Sequence, residues 1–159
     1  MAQTTTFENI RNWMVSTLED AVPSKDIGVP FRVHRGEVDF LAWAQEKPDA
    51  CFRRFDIANN WDIEVDGTTE GTTQQWRHTF TFVMAYPVNS RRYGIENQRD
   101  LDDYIESDFA KVNREIELRG SYNYVTGHEI TRLEGMSVEK LGPVWVLAVT
   151  YFVQYDRSI

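Results

Sequence analysis

One segment restricts the possible folds more than any other. From Gln75 to Tyr86, Trp76, His78, Phe80, Phe82, Met84 and Tyr86 alternate strictly with Arg77, Thr79, Thr81, Val83 and Ala85. A period of two puts the large residues on one face of a β-strand and the smaller ones on the other. A strand of about a dozen residues is long against the usual five or six. It is therefore predicted to run beyond the core at one end, and Pro87 stops it. A second constraint lies near the end of the sequence. The strand predicted over Val144–Tyr155 opens apolar on both faces, with Val144, Trp145, Val146, Leu147, Ala148 and Val149 in succession. Such a run is covered on both sides, so it is read as a central strand or one whose second face a neighbouring subunit buries.

Two helices are predicted around these strands. Over Thr5–Val22, Phe7, Ile10, Met14, Leu18 and Ala21 recur at helical spacing, and Thr5-x-x-Glu8 fits a capping box. Pro23 and Ser24 end that helix. Over about Asn97–Leu118, Leu101, Ile105, Phe109, Val112 and Ile116 form one apolar stripe. Acids (Glu96, Asp100, Asp102, Asp103, Glu106, Asp108) crowd its first half, and Lys111, Arg114 and Arg119 its second. That polarity complements the helix dipole. Arg99–Asp103, Lys111–Glu115 and Glu115–Arg119 are spaced as i,i+4 pairs, and Gly120 is a C-terminal stop.

Shorter signals fill the remainder. Val29, Phe31 and Val33 alternate in a strand that Pro30 confines to an edge or to its own start. Phe40, Leu41 and Trp43 are candidates to anchor a short helix or an ordered loop within Glu37–Cys51. One or two short strands are expected over Phe52–Val65, interrupted at Asn59-Asn60. Asp66–Gln74 is polar and glycine-punctuated, and reads as an exposed, mobile hairpin tip. Tyr122–Leu133 is a further strand. The order is helix, several strands, helix, two strands. It predicts a single α+β domain spanning 1–159, with a mostly antiparallel sheet and both main helices packed on one face.

Composition narrows the chemistry. The 159 residues carry a formal charge of −8, which on average repels nucleic acid. Thirteen arginines stand against four lysines, a bias typical of protein–protein contacts. No stretch approaches 18 consecutive apolar residues, so no membrane partner is expected. Met1–Thr6 lacks a basic region leading into an apolar one, and no secretory signal is expected. A lone Cys51 excludes an internal disulfide and a four-cysteine zinc site. His34, His78 and His128 stand outside metal-ligand spacing of one another. Asp62, Glu64 and Asp66 read as a solvated strand face, since calcium-loop spacing is absent. No metal, cofactor or catalytic set is expected. The polar groups that could serve a ligand pocket are His78, His128, Tyr122 and Tyr124.

Trp13, Trp43, Trp61, Trp76 and Trp145 are many for one small core, and some are expected at subunit contacts. The candidate interface residues are Trp61, Asp66, Gly67, Trp76, Arg91, Arg92 and Tyr93.

A capped N-terminal helix leads into an edge strand near Phe31–Val33, the long strand Trp76–Tyr86 and an amphipathic helix after Pro87. A final Val-Trp-Val-Leu-Ala-Val-Thr-Tyr-Phe-Val-Gln-Tyr strand closes the order. This arrangement resembles the tail terminator (tail completion) proteins of long-tailed bacteriophages. The resemblance implies a non-enzymatic ring, typically a homohexamer, in the neck of the virion after assembly in the host cytoplasm. Such a ring caps the tail tube protein, presents a docking face to the neck or head-completion connector protein, and lets DNA pass without specific binding. An acidic lining would not grip a sliding polyanion. On this reading part of Glu96, Asp103 and Glu106 faces the lumen or a neighbouring arginine. Three alternatives stay open: another neck or head-completion protein, a small ligand-binding domain or enzyme around His78 and His128, and an inhibitor that mimics DNA.

Overall fold

The computed structural model describes residues 6–67, 73–120 and 128–158. Its elements are α1 (Phe7–Asp20), β1 (Arg32–Val33), α2 (Phe40–Glu46), a 3₁₀ turn (Pro48–Ala50), β2 (Arg54–Asn59), β3 (Glu64–Gly67), β4 (Thr73–Pro87), α3 (Gln98–Gly120), β5 (His128–Leu141) and β6 (Val144–Ser158). The strands make one mixed sheet in the order β1-β2-β4-β6-β5, with β3 also on β4. Only β1–β2 is parallel. The α+β class, the mostly antiparallel sheet and the two main helices are as the sequence predicts. No described helix is long and apolar enough to cross a membrane.

β4 is the spine. It pairs with β6 along its full length, from Thr73↔Ser158 to Pro87↔Val144. Its large-residue face is buried under α1 and α3: His78, Phe80, Phe82, Met84 and Tyr86 join Ile10, Met14 and Leu18 of α1 and Leu101, Ile105, Val112 and Ile116 of α3. The opposite face carries a smaller cluster, in which Phe40 and Ala44 of α2 meet Ala85, Val144 and Val146. That cluster explains the two-sided hydrophobicity at the start of β6. α2 covers one face there while the core covers the other, so a helix lies on the second face as well.

Three boundaries differ from the sequence reading. α1 is capped by Thr6, whose hydroxyl accepts from the Asn9 N–H at 3.2 Å, not by Thr5. The strand after Pro30 contracts to Arg32–Val33, although Phe31 and Val33 are both buried and it does lie at a sheet edge. β5 runs on to Leu141 instead of stopping at Leu133. It then turns through Gly142-Pro143 into β6, with Gly142 at φ +60°. A two-residue hairpin loop takes glycine at its first position for that φ.

Candidate functional site

β2 and β3 lie end to end along one edge of β4. Asn59 pairs with Phe80 and Glu64 with Arg77, so residues 60–63 face only two residues of β4 and bow outward. At the crest Trp61 is 74% exposed. Glu64 and Asp66 do not form a merely solvated face, because both carboxylates hold the Arg77 guanidinium. Gly67 is exposed at the end of β3. The hairpin tip predicted over Asp66–Gln74 is shorter than expected, because Asp66 and Gly67 of β3 pair with Gln75 and Gln74 of β4, and residues 68–72 lie outside those described. Trp76 is half-buried: it packs on Tyr155, its indole N–H donates to Gln74 Oε1 at 3.3 Å, and Arg157 lies 4.6 Å over its ring. Of the remaining tryptophans, Trp13, Trp43 and Trp145 are also half-buried, which leaves Trp61 as the one presented outright.

The second patch lies beyond the Pro87 end of β4. From Trp76 to Pro87 the strand spans about 37 Å. The chain then turns back on itself, with Ser90 and Ile95 exchanging backbone hydrogen bonds of 2.9 Å and Ile95 buried beneath. Tyr93 is the anchor of this loop. Its ring stacks on Phe52 at 4.4 Å, and its carbonyl accepts from the Tyr104 hydroxyl at 3.2 Å. Arg91 and Arg92 stay exposed, the latter 5.3 Å over the Tyr93 ring. They border an open hollow of about 760 Å³ lined also by Asp49, Asn89, Ser90, Ile95 and Glu96. Neither guanidinium forms an ion pair among the described residues.

Glu96, Asp103 and Glu106, the acids assigned to a lumen face, are all exposed, and Asp103 and Glu106 are neighbours one turn apart on α3. Glu96 joins the arginine hollow. Asp103 lies 3.8 Å from Lys25 Nζ rather than near Arg99, and Glu106 is exposed on the outer side of α3.

Beneath the arginine loop sits a group that the sequence reading passed over. Arg53 is wholly buried at φ +59°. Its Nε and Nη2 donate to the two oxygens of Asp108 at 3.0 and 3.1 Å, and it also donates to the Val29 and Lys25 carbonyls at 2.8 Å each. The Tyr86 hydroxyl donates to Asp108 at 2.8 Å. Burial pushes the Asp108 carboxyl up, while Arg53 and Tyr86 pull it down. Phe52, which carries Tyr93, lies 5.1 Å from the same guanidinium. A signal for Asp108 was present: it follows Leu101 by seven residues, within about 20° on a helix, and so stands inside the apolar stripe.

The groups considered for catalysis have other occupations. Thr79 O can only accept, so His78 Nδ1 carries a proton to it at 3.2 Å, and Nε2 accepts from the Tyr155 hydroxyl at 2.8 Å. β6 separates β4 from β5, so the backbones of His78 and His128 lie about 10 Å apart at least and not on adjacent strands. Tyr122 and Tyr124 fall outside the described residues. His34 bonds the Val38 carbonyl at 2.8 Å and packs on Trp43. Burial pushes the Cys51 thiol up to about 12, which suppresses the thiolate a nucleophile needs. Among the described residues no group of three potential metal ligands converges.

Burial holds the His78 imidazole below its ordinary range, against the opposing pull of the Thr79 carbonyl. The unfolded chain therefore takes up this proton at a higher pH than the native one does. Stability is fully present above the ordinary histidine range and is lost as pH falls through the lowered native value. The urea midpoint is expected to drop between pH 7.5 and 5, and His78→Gln should make that drop shallower. An unchanged slope in the variant would show that other groups carry the dependence.

The chain matches no known protein-family model, and no curated protein matches it.

Proposed function

We propose that this chain is a structural virion protein of the tail terminator kind, whose copies join head to tail into a closed ring at the head–tail junction. The observation that carries the reading is the pair of unlike patches at separate places along β4, one beside His78 and Thr79 and the other beyond Pro87. One is the Trp61 bow, where Asp62, Glu64 and Asp66 outnumber the single Arg77 and leave a net negative surface. The other is the hollow edged by two adjacent arginines, neither of which forms an ion pair among the described residues. Unlike patches on one chain make heterologous contacts, and these close into rings when the rotation per subunit permits. Trp and Arg are the residues that most often dominate such contacts. The resemblance to tail terminators supplies the biological setting: a hexameric annulus that caps the tail tube, receives the connector, and gives passing DNA an acidic, non-gripping wall.

Native mass spectrometry and negative-stain imaging of the purified protein, alone and mixed with tail tubes, test this. The expected result is a closed annulus that seats on tube ends. A chain that stays solitary at high concentration and binds no tube would sink the proposal. Binding to the connector without the tube would move it to another place in the neck.

A further inference from the structure

We infer that two copies of this chain pair edge to edge through β5, antiparallel, about a twofold axis at Ser137. β5 ends the sheet, and among the described residues nothing pairs with its outer edge. Every residue from Glu134 to Lys140 is exposed, including Met136 at 47% and Val138 at 37%. An exposed strand edge with apolar side chains is a template for another strand. The far side of the sheet is less suited by contrast: β3 has only four residues, two of them the acids Glu64 and Asp66, and β1 is blunted. β1 has two residues, and its Val33 N–H is taken by Glu19 Oε2 at 3.4 Å. Glu19 is itself held by Arg35 at 2.8 Å. That asymmetry favours β5 meeting its own copy over β5 meeting β1.

The sequence of β5 fits self-pairing in one register. Ladder pairing with β6 is unbroken from Gly135↔Thr150 to Leu141↔Val144. Met136, Val138 and Lys140 oppose Val149, Leu147 and Trp145, so they share the face on which α1 and α3 pack. With the axis at Ser137, Met136 of each copy opposes Val138 of the other, and Glu134 opposes Lys140. Ser137 opposes Ser137, and the matched stretch ends at Glu134, where the register of β5 against β6 shifts between Leu133 and Gly135. Each unlike pair occurs twice by symmetry. Apolar and opposite-charge cross-strand pairs are both stabilising, and like charges directly opposite are not. The contact is isologous, so it closes at two copies. It goes beyond the ring reading and does not require it; where both contacts form, two rings meet back to back.

Cysteine cross-linking tests the axis. Directly opposed residues of an antiparallel pair have Cα atoms about 4.5–5.5 Å apart, within the range a disulfide spans. Under mild oxidation the Ser137→Cys variant should cross-link between copies at least about tenfold faster than Glu139→Cys, whose own copies would lie about 14 Å apart. The Gly135→Cys and Glu139→Cys variants should cross-link when mixed but not singly. Gly135 has open space where a Cβ would stand, and buried Cys51 does not compete. Adding Lys140→Glu should slow the Ser137→Cys reaction about tenfold, and adding Glu134→Lys as well should restore it. Equal rates for Ser137→Cys and Glu139→Cys would overturn the pairing, and failure of the second charge swap to restore the rate would overturn its register. Reversal of Arg91 and Arg92 should leave the cross-linking rate unchanged. The two proposals therefore fail separately: an annulus without the cross-link ends this one, and the cross-link without an annulus ends the ring.

Discussion

Replacing Arg53 with methionine is expected to cost about 3–5 kcal/mol of stability, the usual consequence of removing one partner of a buried ion pair. The guanidinium makes four hydrogen bonds without contact with water. Without it the Val29 and Lys25 carbonyls lose a donor and Asp108 is left in the core with only the Tyr86 hydroxyl. Both influences of Arg53 on that carboxyl are downward, so the Arg53→Met variant should raise its native proton affinity further above that of the unfolded chain. A group raised in this sense contributes stability at low pH and loses it as pH rises through the native value. The deficit should therefore be smaller at pH 5 than at pH 8. Adding Asp108→Leu removes the stranded charge, and the double variant should lose less than the sum of the two single losses. Urea denaturation of the four proteins measures this cycle. Additive losses would mean that the pair is not an energetic unit.

Reversing Arg91 and Arg92 to glutamate should raise the dissociation constant of the proposed ring contact about 100-fold while the subunit stays folded. Both guanidiniums are exposed and neither forms an ion pair among the described residues, so the fold has little to lose beyond the contact of Arg92 with the Tyr93 ring. The loop geometry is held elsewhere, by the Ser90–Ile95 bridge, the buried Ile95 and the Tyr93–Phe52 stack. A carboxylate-rich partner surface would be repelled by four reversed units of charge per contact. Particle mass by light scattering, with circular dichroism as the folding control, reads both halves of the expectation. Unchanged particle mass would remove the arginine loop from the contact.

The features legible in the sequence were those in which one element reports its own burial. The period of β4 gives both of its faces, and the stripes of α1 and α3 give the helix faces that meet it. What the sequence concealed depends on distant partners. Asp108 looked like one more dipole-complementing acid, because its meaning comes from Arg53, 55 residues earlier. Arg53 sits at a left-handed φ that few side chains adopt, and its sequence neighbours give no hint of that. β5 beyond Leu133 escaped because both of its faces are exposed there, so no alternation of apolar and polar residues marks it. At the candidate site, Trp61, Arg91 and Arg92 are presented to solvent as surface residues should be. Trp76 and Tyr93 were named for their type, but packing gives them structural duties. That Glu96, which precedes α3, joins the arginines follows from the turn after β4, not from helical spacing.

The four-residue bow between β2 and β3 also gives the molecule an optical handle. Its crest holds the one indole that stands clear of the protein, whereas Trp13, Trp43, Trp76 and Trp145 are all partly shielded. A soluble quencher will reach that fluorophore first, and anything that seats on the bow will protect it. The chain thus carries its own label for occupancy of that surface, readable without a dye.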